Sequence, residues 1–399
     1  MASHSRQART LYAVVWITVS IGISLMGTGL LGSLIGIRAE REGIGAGVMG
    51  VAMAMYYVGF VSGMPVMNRV LELLSRRRMF AACTFGMGAA AFSYGLIVHP
   101  VAWLGLRFAT GFLLAGCYLV VETWLNDLAR NDVRGKVMGL YVAVVAAGLV
   151  AGQIVLAFTE PSSWISFAIA GGITGVAFAP MVLVTKGAGV RHCREGGMSL
   201  REVARAVPSG VIGFVLVGVT QGCVLTMSSV YAARAGLSAG QVGIFVGSIT
   251  AGAVVFQIPV GAIADRRSRR LVMAVLCAVT MVICGGLLLA TPGSGAAFVL
   301  AFGLGGCSTP LYALGNSYTH DWLPAGQVVA ASTALLITYS MGAVFGPLLA
   351  AAAMTTIGVA GFFWALIVSH GLLGVFMIYR MTVAPDTAAA RPLATAGID

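Results

Sequence analysis

Two ionisable residues stand inside otherwise apolar stretches, and they are the first candidates for chemistry. Glu122 lies in Val120-Val121-Glu122-Thr123-Trp124, and Arg107 in Leu104-Gly105-Leu106-Arg107-Phe108. A carboxyl group in such a place can take up and release a proton, or pair with a cation such as Arg134 and the neighbouring loop arginines. The two uses are compatible if the pair opens. Arg107 either serves function, the default for a charge in hydrocarbon, or extends its head outward to water. Fifteen residues of helix separate the two, about 22 Å, so they do not pair within one helix. A third candidate is Gly261-Ala-Ile-Ala-Asp265-Arg266-Arg267-Ser268-Arg269-Arg270. A carboxylate among guanidiniums forms bidentate pairs that latch neighbouring helices in one state and release them in another. The plainer reading is that Arg266 and Arg269 only fix orientation, for which Asp265 is not needed.

Other chemistries find no support. The seven cysteines form no C-x-x-C pair and show no metal-ligand spacing. His99, His192, His320 and His370 are scattered, without a nucleophile–base grouping, and no G-x-x-x-x-G-K-[ST] loop is present. We therefore expect no enzyme, no metal, no cofactor and no ATP-driven step. A formal charge of +11 could suggest nucleic acid, but the basic residues fall in short clusters between apolar runs rather than on one stripe.

The elements that must position these groups are membrane helices. Of 399 residues, 59% are hydrophobic and 9% charged, against roughly 25% charged in a soluble domain. A spanning helix needs about 20 mostly apolar residues, and twelve stretches qualify, near 11–36, 45–68, 79–98, 101–125, 136–158, 164–184, 207–231, 240–263, 271–290, 296–318, 327–353 and 359–380. The first is too long for a signal-peptide core and is expected to stay. Twenty of the 24 Lys and Arg residues fall on the side of the N-terminus, against Arg38, Arg41 and Arg234 on the other. The positive-inside rule then places both termini in the cytoplasm. The polar stretch 185–206 reads as a linker with a short interfacial helix near 199–205. It divides a six-helix bundle over 1–184 from another over 207–380, and residues 381–399 read as a disordered cytoplasmic tail.

Shifting the sequence by 194 residues superposes the halves. Pro65 falls on Pro259, Arg76 on Arg270, Gly111 on Gly305, Tyr118 on Tyr312, Gly148 on Gly342 and Gly152 on Gly346. Any one match is cheap in a chain with 54 glycines; these matches at one offset across four helix pairs are not. Small residues at i and i+4 also allow close helix contact in lipid.

The Asp265 loop resembles the cytoplasmic G-x-x-x-D-R-x-G-R-[KR] signature of the major facilitator superfamily, with Ser268 in place of glycine. Its first-half counterpart, Gly63 through Asn68-Arg69 to Arg76-Arg77-Arg78, lacks the aspartate. Arg107-x-x-x-Gly111 is similar to the family's span-four pattern. Gly139-x8-Gly148-x3-Gly152-Gln153 resembles the drug–proton antiporter signature with Gln153 in place of proline, whereas Gly342-x3-Gly346-Pro347 keeps the proline. Together with Arg134-Gly135-Lys136, Tyr141 and Tyr339 these residues resemble the YcaD-like group of the superfamily. The resemblance implies an all-α membrane protein of twelve transmembrane helices in two pseudo-symmetric six-helix bundles, an inner-membrane monomer working by alternating access.

It further implies proton coupling or gating through Arg107, Glu122, Arg134, Asp265, Arg266 and Arg269, and a substrate path between the halves. The polar residues of the lining spans are then Ser20, Ser24, Thr28, Tyr118, Gln221, Thr226, Gln257, Tyr312, Asn316 and Tyr339. Such a mildly polar, aromatic path with little fixed charge disfavours multiply anionic substrates. It suits a small neutral, zwitterionic or amphipathic organic molecule, and Glu122 permits a cation. Proton-coupled efflux is the leading expectation; an importer or facilitator and a non-transporting sensor stay open. The expected topology is checked by fusing reporters after Val383. A fluorescent protein there should fold and emit while alkaline phosphatase stays inactive, and the opposite pattern overturns it.

Overall fold

The computed structural model describes residues 2–129, 134–184, 200–320 and 328–383, with side chains over 11–129, 137–184, 200–319 and 334–383. Every regular element among them is an α-helix. Twelve stretches are long and apolar enough to cross a membrane, within a few residues of the expected boundaries. The first half comprises α1 (Ala2–Arg41), α2 (Ala46–Leu73), α3 (Arg76–Leu96), α4 (Pro100–Leu128) and α5 (Arg134–Leu156). Its sixth span is α6 (Trp164–Val176) with the short α7 (Ala179–Val182). The second half comprises α9 (Pro208–Arg234), α10 (Ala239–Arg266), α11 (Arg269–Leu289), α12 (Gly295–Ser308), α13 (Pro310–His320), α14 (Val328–Ile357) and α15 (Gly361–Val383). The short α8 (Leu200–Ala206) falls where the linker helix was expected. Residues 185–199 and 384–399, expected as linker and tail, lie outside the described residues.

Local chemistry sets the helix ends. Pro100 and Pro208 stand in first turns, where the missing N–H costs nothing. Ser238 and Gln241 form a capping box at the start of α10. Four connections at one end of the molecule turn on Gly43, Gly236, Gly293 and Gly358 at φ between 69° and 80°, a region open mainly to glycine.

Within each half, helices cross at backbone contact. Gly148 and Gly152 of α5 lie on α1, where a Cβ at Gly152 would stand 2.8 Å from the Leu30 nitrogen. Gly342 and Gly346 of α14 lie on α9, where a Cβ at Gly346 would stand 2.6 Å from the Cys223 nitrogen. Gly111 abuts Tyr56 of α2, and its repeat mate Gly305 abuts Ile249 of α10. The 194-residue offset therefore repeats crossings as well as residues.

The halves meet mainly at the end bearing those glycine turns, the seam end. There one hydrophobic core includes both Leu30, Ile35 and Met49 of the first half and Tyr231, Phe245 and Ala351 of the second. Gly36 lies on Ser229, Gly50 on Pro347, and Gly243 on Gln153. At the opposite end each half keeps a separate core, and the halves part toward Arg76 and Arg270. At the seam end Arg38 pairs with Glu42 at 2.8 Å, Arg41 with Glu160, and Arg234 with Glu40 across the halves at 3.7 Å. The hydrogen bond from Arg41 holds the exposed Glu160 carboxyl below the usual carboxylate range. All three arginines expected to face outward thus have carboxylate partners.

Gly152→Leu forces a side chain into the α1 backbone, and overpacking of this kind costs about 1–3 kcal/mol. The thermal unfolding midpoint of the purified protein should fall, and an unchanged midpoint would show that the α1–α5 crossing is not tight.

Candidate functional site

Glu122 lies one helical turn beyond Tyr118 on α4, half-buried. It accepts one hydrogen bond, from the Tyr141 hydroxyl of α5 at 3.4 Å, and makes no ion pair among the described residues. The pairing with Arg134 weighed from sequence is not formed with any described side chain, and the Arg134 side chain itself lies outside them. Glu122 interacts electrostatically with Tyr118, with Tyr141 and, from the second half, with Tyr312. Its position plus 194 is Asn316, half-buried on α13. The scaffold is repeated, but its carboxylate is not.

Tyrosines of both halves lie within electrostatic reach of this carboxyl. Tyr118 stacks edge-on with Phe60 at 6.1 Å. Tyr312 and Tyr339 meet edge-on at 4.8 Å, and Phe214 packs on them at 5.4 and 5.9 Å. The repeat mates Tyr118 and Tyr312 interact with each other and with Tyr339. The backbone contact of Gly111 with Tyr56 also sets the α2 rings of Tyr56 and Tyr57 beside this group. Sequence reading passed over those two, although a tyrosine pair in an apolar span is itself a signal.

Other expected lining residues divide. Thr28, Gln257 and Asn316 are half-buried, whereas Ser24 and Gln221 are fully buried. The Thr28 hydroxyl is spent on the Ser24 carbonyl of its own helix at 2.9 Å. Gln221 serves the tenth span, which breaks between α12 and α13 at Thr309–Pro310. Tyr312 N–H donates to Thr309 at the break, and the Gln221 amide donates to the Ser308 carbonyl at 2.5 Å. The Ser308 hydroxyl meets His370 Nε2 of α15 at 3.0 Å, while His370 Nδ1 meets the Leu366 carbonyl at 2.8 Å. Since that carbonyl only accepts, Nδ1 donates and Ser308 donates to Nε2. Gln221 thus satisfies a carbonyl of a broken helix, a recurrent feature of transporter interiors, and His370 holds the Ser308 side chain beside it.

Arg107 does not extend to water. It is 4% exposed, with its guanidinium 5.9 Å from the Tyr56 ring and 6.0 Å from the Tyr94 ring. Gln153, in the position where the antiporter signature has proline, is buried as a clamp. It accepts from Ser33 at 2.7 Å and donates to the Gly29 carbonyl at 3.0 Å.

At the open end Arg76 is buried, pairs with Asp127 of α4 and lies 5.8 Å from the Trp124 ring. Its mate Arg270 lies 5.1 Å from Tyr318 and donates to the Arg380 carbonyl at 3.0 Å. Trp124 and Tyr318 are themselves 194 apart, so each half anchors an arginine on an aromatic ring. Asp265 and Arg266 are exposed, Arg269 donates to the Ser317 carbonyl at 3.3 Å, and no described pair joins Asp265 to either arginine.

A family model described as Major Facilitator Superfamily matches residues 17–231 and 210–397. An uncharacterized MFS-type transporter of Yersinia enterocolitica is 26% identical over 87% of this chain and 88% of its own length. The uncharacterized MFS-type transporter YcaD of Escherichia coli is 24% identical over 80% and 82%. Among solved structures, the nucleoside transporter NupG superposes with a TM-score of 0.73 at 13% identity, over 94% of this chain and 98% of its own. A bacterial homolog of the human lysosomal transporter Spinster, inward-facing and unoccupied, gives 0.72 at 13%, over 93% and 95%. At these identities the structural likeness speaks to the fold alone.

Asp127→Ala strips the buried Arg76 of its anion. Hydrogen bonds to charged groups contribute about 1.5–3 kcal/mol, so thermal denaturation should show a loss on that order, partly recovered by Asp127→Glu. An Asp127→Ala protein as stable as wild type would mean that the pair contributes nothing.

Proposed function

Because this chain belongs to the Major Facilitator Superfamily, we propose that it exports a small organic molecule across the inner membrane in exchange for protons, by alternating access. The observation that carries this reading is the placement of Glu122. It is a half-buried carboxyl where two halves part, held by a phenol and paired with no cation among the described residues.

Coupling follows from the cost of moving charge through a low-dielectric interior. An ionised carboxylate at the centre of a bilayer costs about 2.5–3.5 kcal/mol by insertion scales. A proton on Glu122 removes that charge, and its release restores it, so protonation and access to the two sides are linked. The bodies that rock are residues 1–184 and 207–380, acting within one monomer with both termini in the cytoplasm. With that orientation the present conformation faces inward. Closure of the open end brings Asp265, Arg266 and Arg269 to neighbouring helix ends as a latch. Arg107, fixed between Tyr56 and Tyr94, holds a permanent positive charge on the far side of Glu122 and biases where the proton resides.

The test is internal pH in inverted vesicles containing purified protein, while small organic compounds are added one at a time to a preset proton gradient. A compound that dissipates the gradient with wild type, at least tenfold more slowly with Glu122→Gln and more slowly with Arg107→Ala, supports antiport and identifies a substrate. Unchanged proton movement in Glu122→Gln removes this residue from coupling. Silence to every compound, with folded and oriented protein, points to uniport or to a sensor that moves nothing.

A further inference from the structure

Apart from the transport path, we propose that the first half binds one soft monovalent metal ion, copper(I) or its chemical analogue silver(I), between the sulfurs of Met67, Cys83 and Cys117. The three residues come from α2, α3 and α4, and no spacing along the chain joins them.

Gly116 of α4 brings them together. With no side chain at that position, sulfurs of two other helices approach the α4 backbone. A Cβ built at Gly116 would stand 2.6 Å from Cys83 Sγ and 3.0 Å from Met67 Sδ. The next residue, Cys117, supplies the third sulfur, and its thiol interacts directly with that of Cys83. Both cysteines are free thiols. All three residues are buried, in an apolar core shared with Phe80, Leu114 and Val121. Cys83 lies about 10 Å along α3 from Arg76 at the open end, and an ion held there ties α2, α3 and α4 together.

The donor set selects the ion. Thiolates and thioethers are soft ligands that favour copper(I). Among the described residues no group of three His, Cys, Asp or Glu is placed to hold a metal, so zinc(II), which takes four ligands drawn from such groups, finds no site. Charge agrees with this choice. As the ion binds, one thiol gives up its proton to solvent and becomes a thiolate, the form that ligates metals. One thiolate and one monovalent cation leave no net charge in the core, where an uncompensated charge is costly. The second thiol and the thioether complete a three-sulfur set without adding charge.

Packing alone does not call for these sulfurs. The 194-residue offset puts Gly261, Cys277 and Leu311 at the positions of Met67, Cys83 and Cys117. The second half therefore builds the same helix arrangement with one of the three sulfurs. The trio is a feature of the first half, added to a scaffold that packs without it.

The test is competition for copper(I) between bicinchoninate and the purified, reduced protein in nanodiscs. Wild type should withdraw one equivalent more than the double variant Cys83→Ser/Cys117→Ser, which sets the background of the other cysteines. Met67→Leu should bind at least tenfold more weakly. So should Gly116→Ala, which keeps all three ligands but drives a methyl group among them. Silver(I), added as the nitrate in chloride-free buffer, should raise the thermal midpoint of wild type and leave that of the double variant unmoved. X-ray absorption of wild type loaded with one equivalent of copper(I) should show a nearest shell of three sulfurs. Equal uptake by wild type and double variant overturns the inference, as does a nearest shell containing nitrogen or oxygen, or only two sulfurs. Where the double variant fails to fold, Met67→Leu, which keeps volume and apolarity, carries the comparison, and undiminished affinity there overturns the three-sulfur site. Binding is read without transport, so the result is independent of whether the protein exchanges protons.

Discussion

The contact on which the rest of the structure depends is the glycine crossing between helices within each half. In lipid the hydrophobic effect does not press one apolar helix against another, so association rests on close packing and interhelical hydrogen bonds. Gly111 against Tyr56, Gly152 against Leu30, Gly305 against Ile249 and Gly346 against Cys223 put helix backbones in van der Waals contact. These crossings place the useful side chains. The α2–α4 crossing sets Tyr56 beside Arg107, and the α9–α14 crossing brings Phe214 to Tyr339. Each half is thereby held together by crossings of its own.

A repeated scaffold need not carry a repeated charge. The two halves share their crossings, their prolines Pro65 and Pro259, their Tyr118–Tyr312 pair and their ring-supported arginines. They differ at the place that matters chemically, with Glu122 in one and Asn316 in the other. Duplication supplies two bodies related by a common axis. Divergence at one position then leaves Glu122 of the first half without a matching carboxylate in the second. Two facing carboxylates would repel when both ionised and would share protons in coupled steps.

Much of this was legible in the sequence because membrane helices leave strong one-dimensional signals. Length and apolarity gave the spans, the 194-residue offset gave the two halves, and Glu122 and Tyr118 stood out as polar letters in apolar text. What stayed hidden depends on partners far along the chain. Asp127 looks like a loop residue until Arg76, 51 positions away, is seen to pair with it. Gln153 reads as a missing proline, yet its amide is satisfied by Ser33 and Gly29, 120 and 124 positions earlier. Gln221 reads as a cavity residue, whereas its amide donates to the Ser308 carbonyl at the break before Pro310. The fate of Arg107 is decided by rings on α2 and α3, and no spacing within α4 encodes them.

The seam between the halves has glycine contacts and an apolar core like the crossings inside them, and differs from them in its polar ties. Its polar ties are Ser229 to the Gly32 carbonyl at 3.3 Å and Arg234 to Glu40 at 3.7 Å, the latter with side chains 28% and 40% exposed. Exposed pairs of this sort contribute about 0–1 kcal/mol, and water can satisfy each partner. The polar groups inside a half have no such substitute, because their alternative surroundings are lipid. Ser33, Gln153 and Gly29 all belong to one half. The water-replaceable polar ties therefore lie between the halves, and the polar ties without such a substitute lie within them.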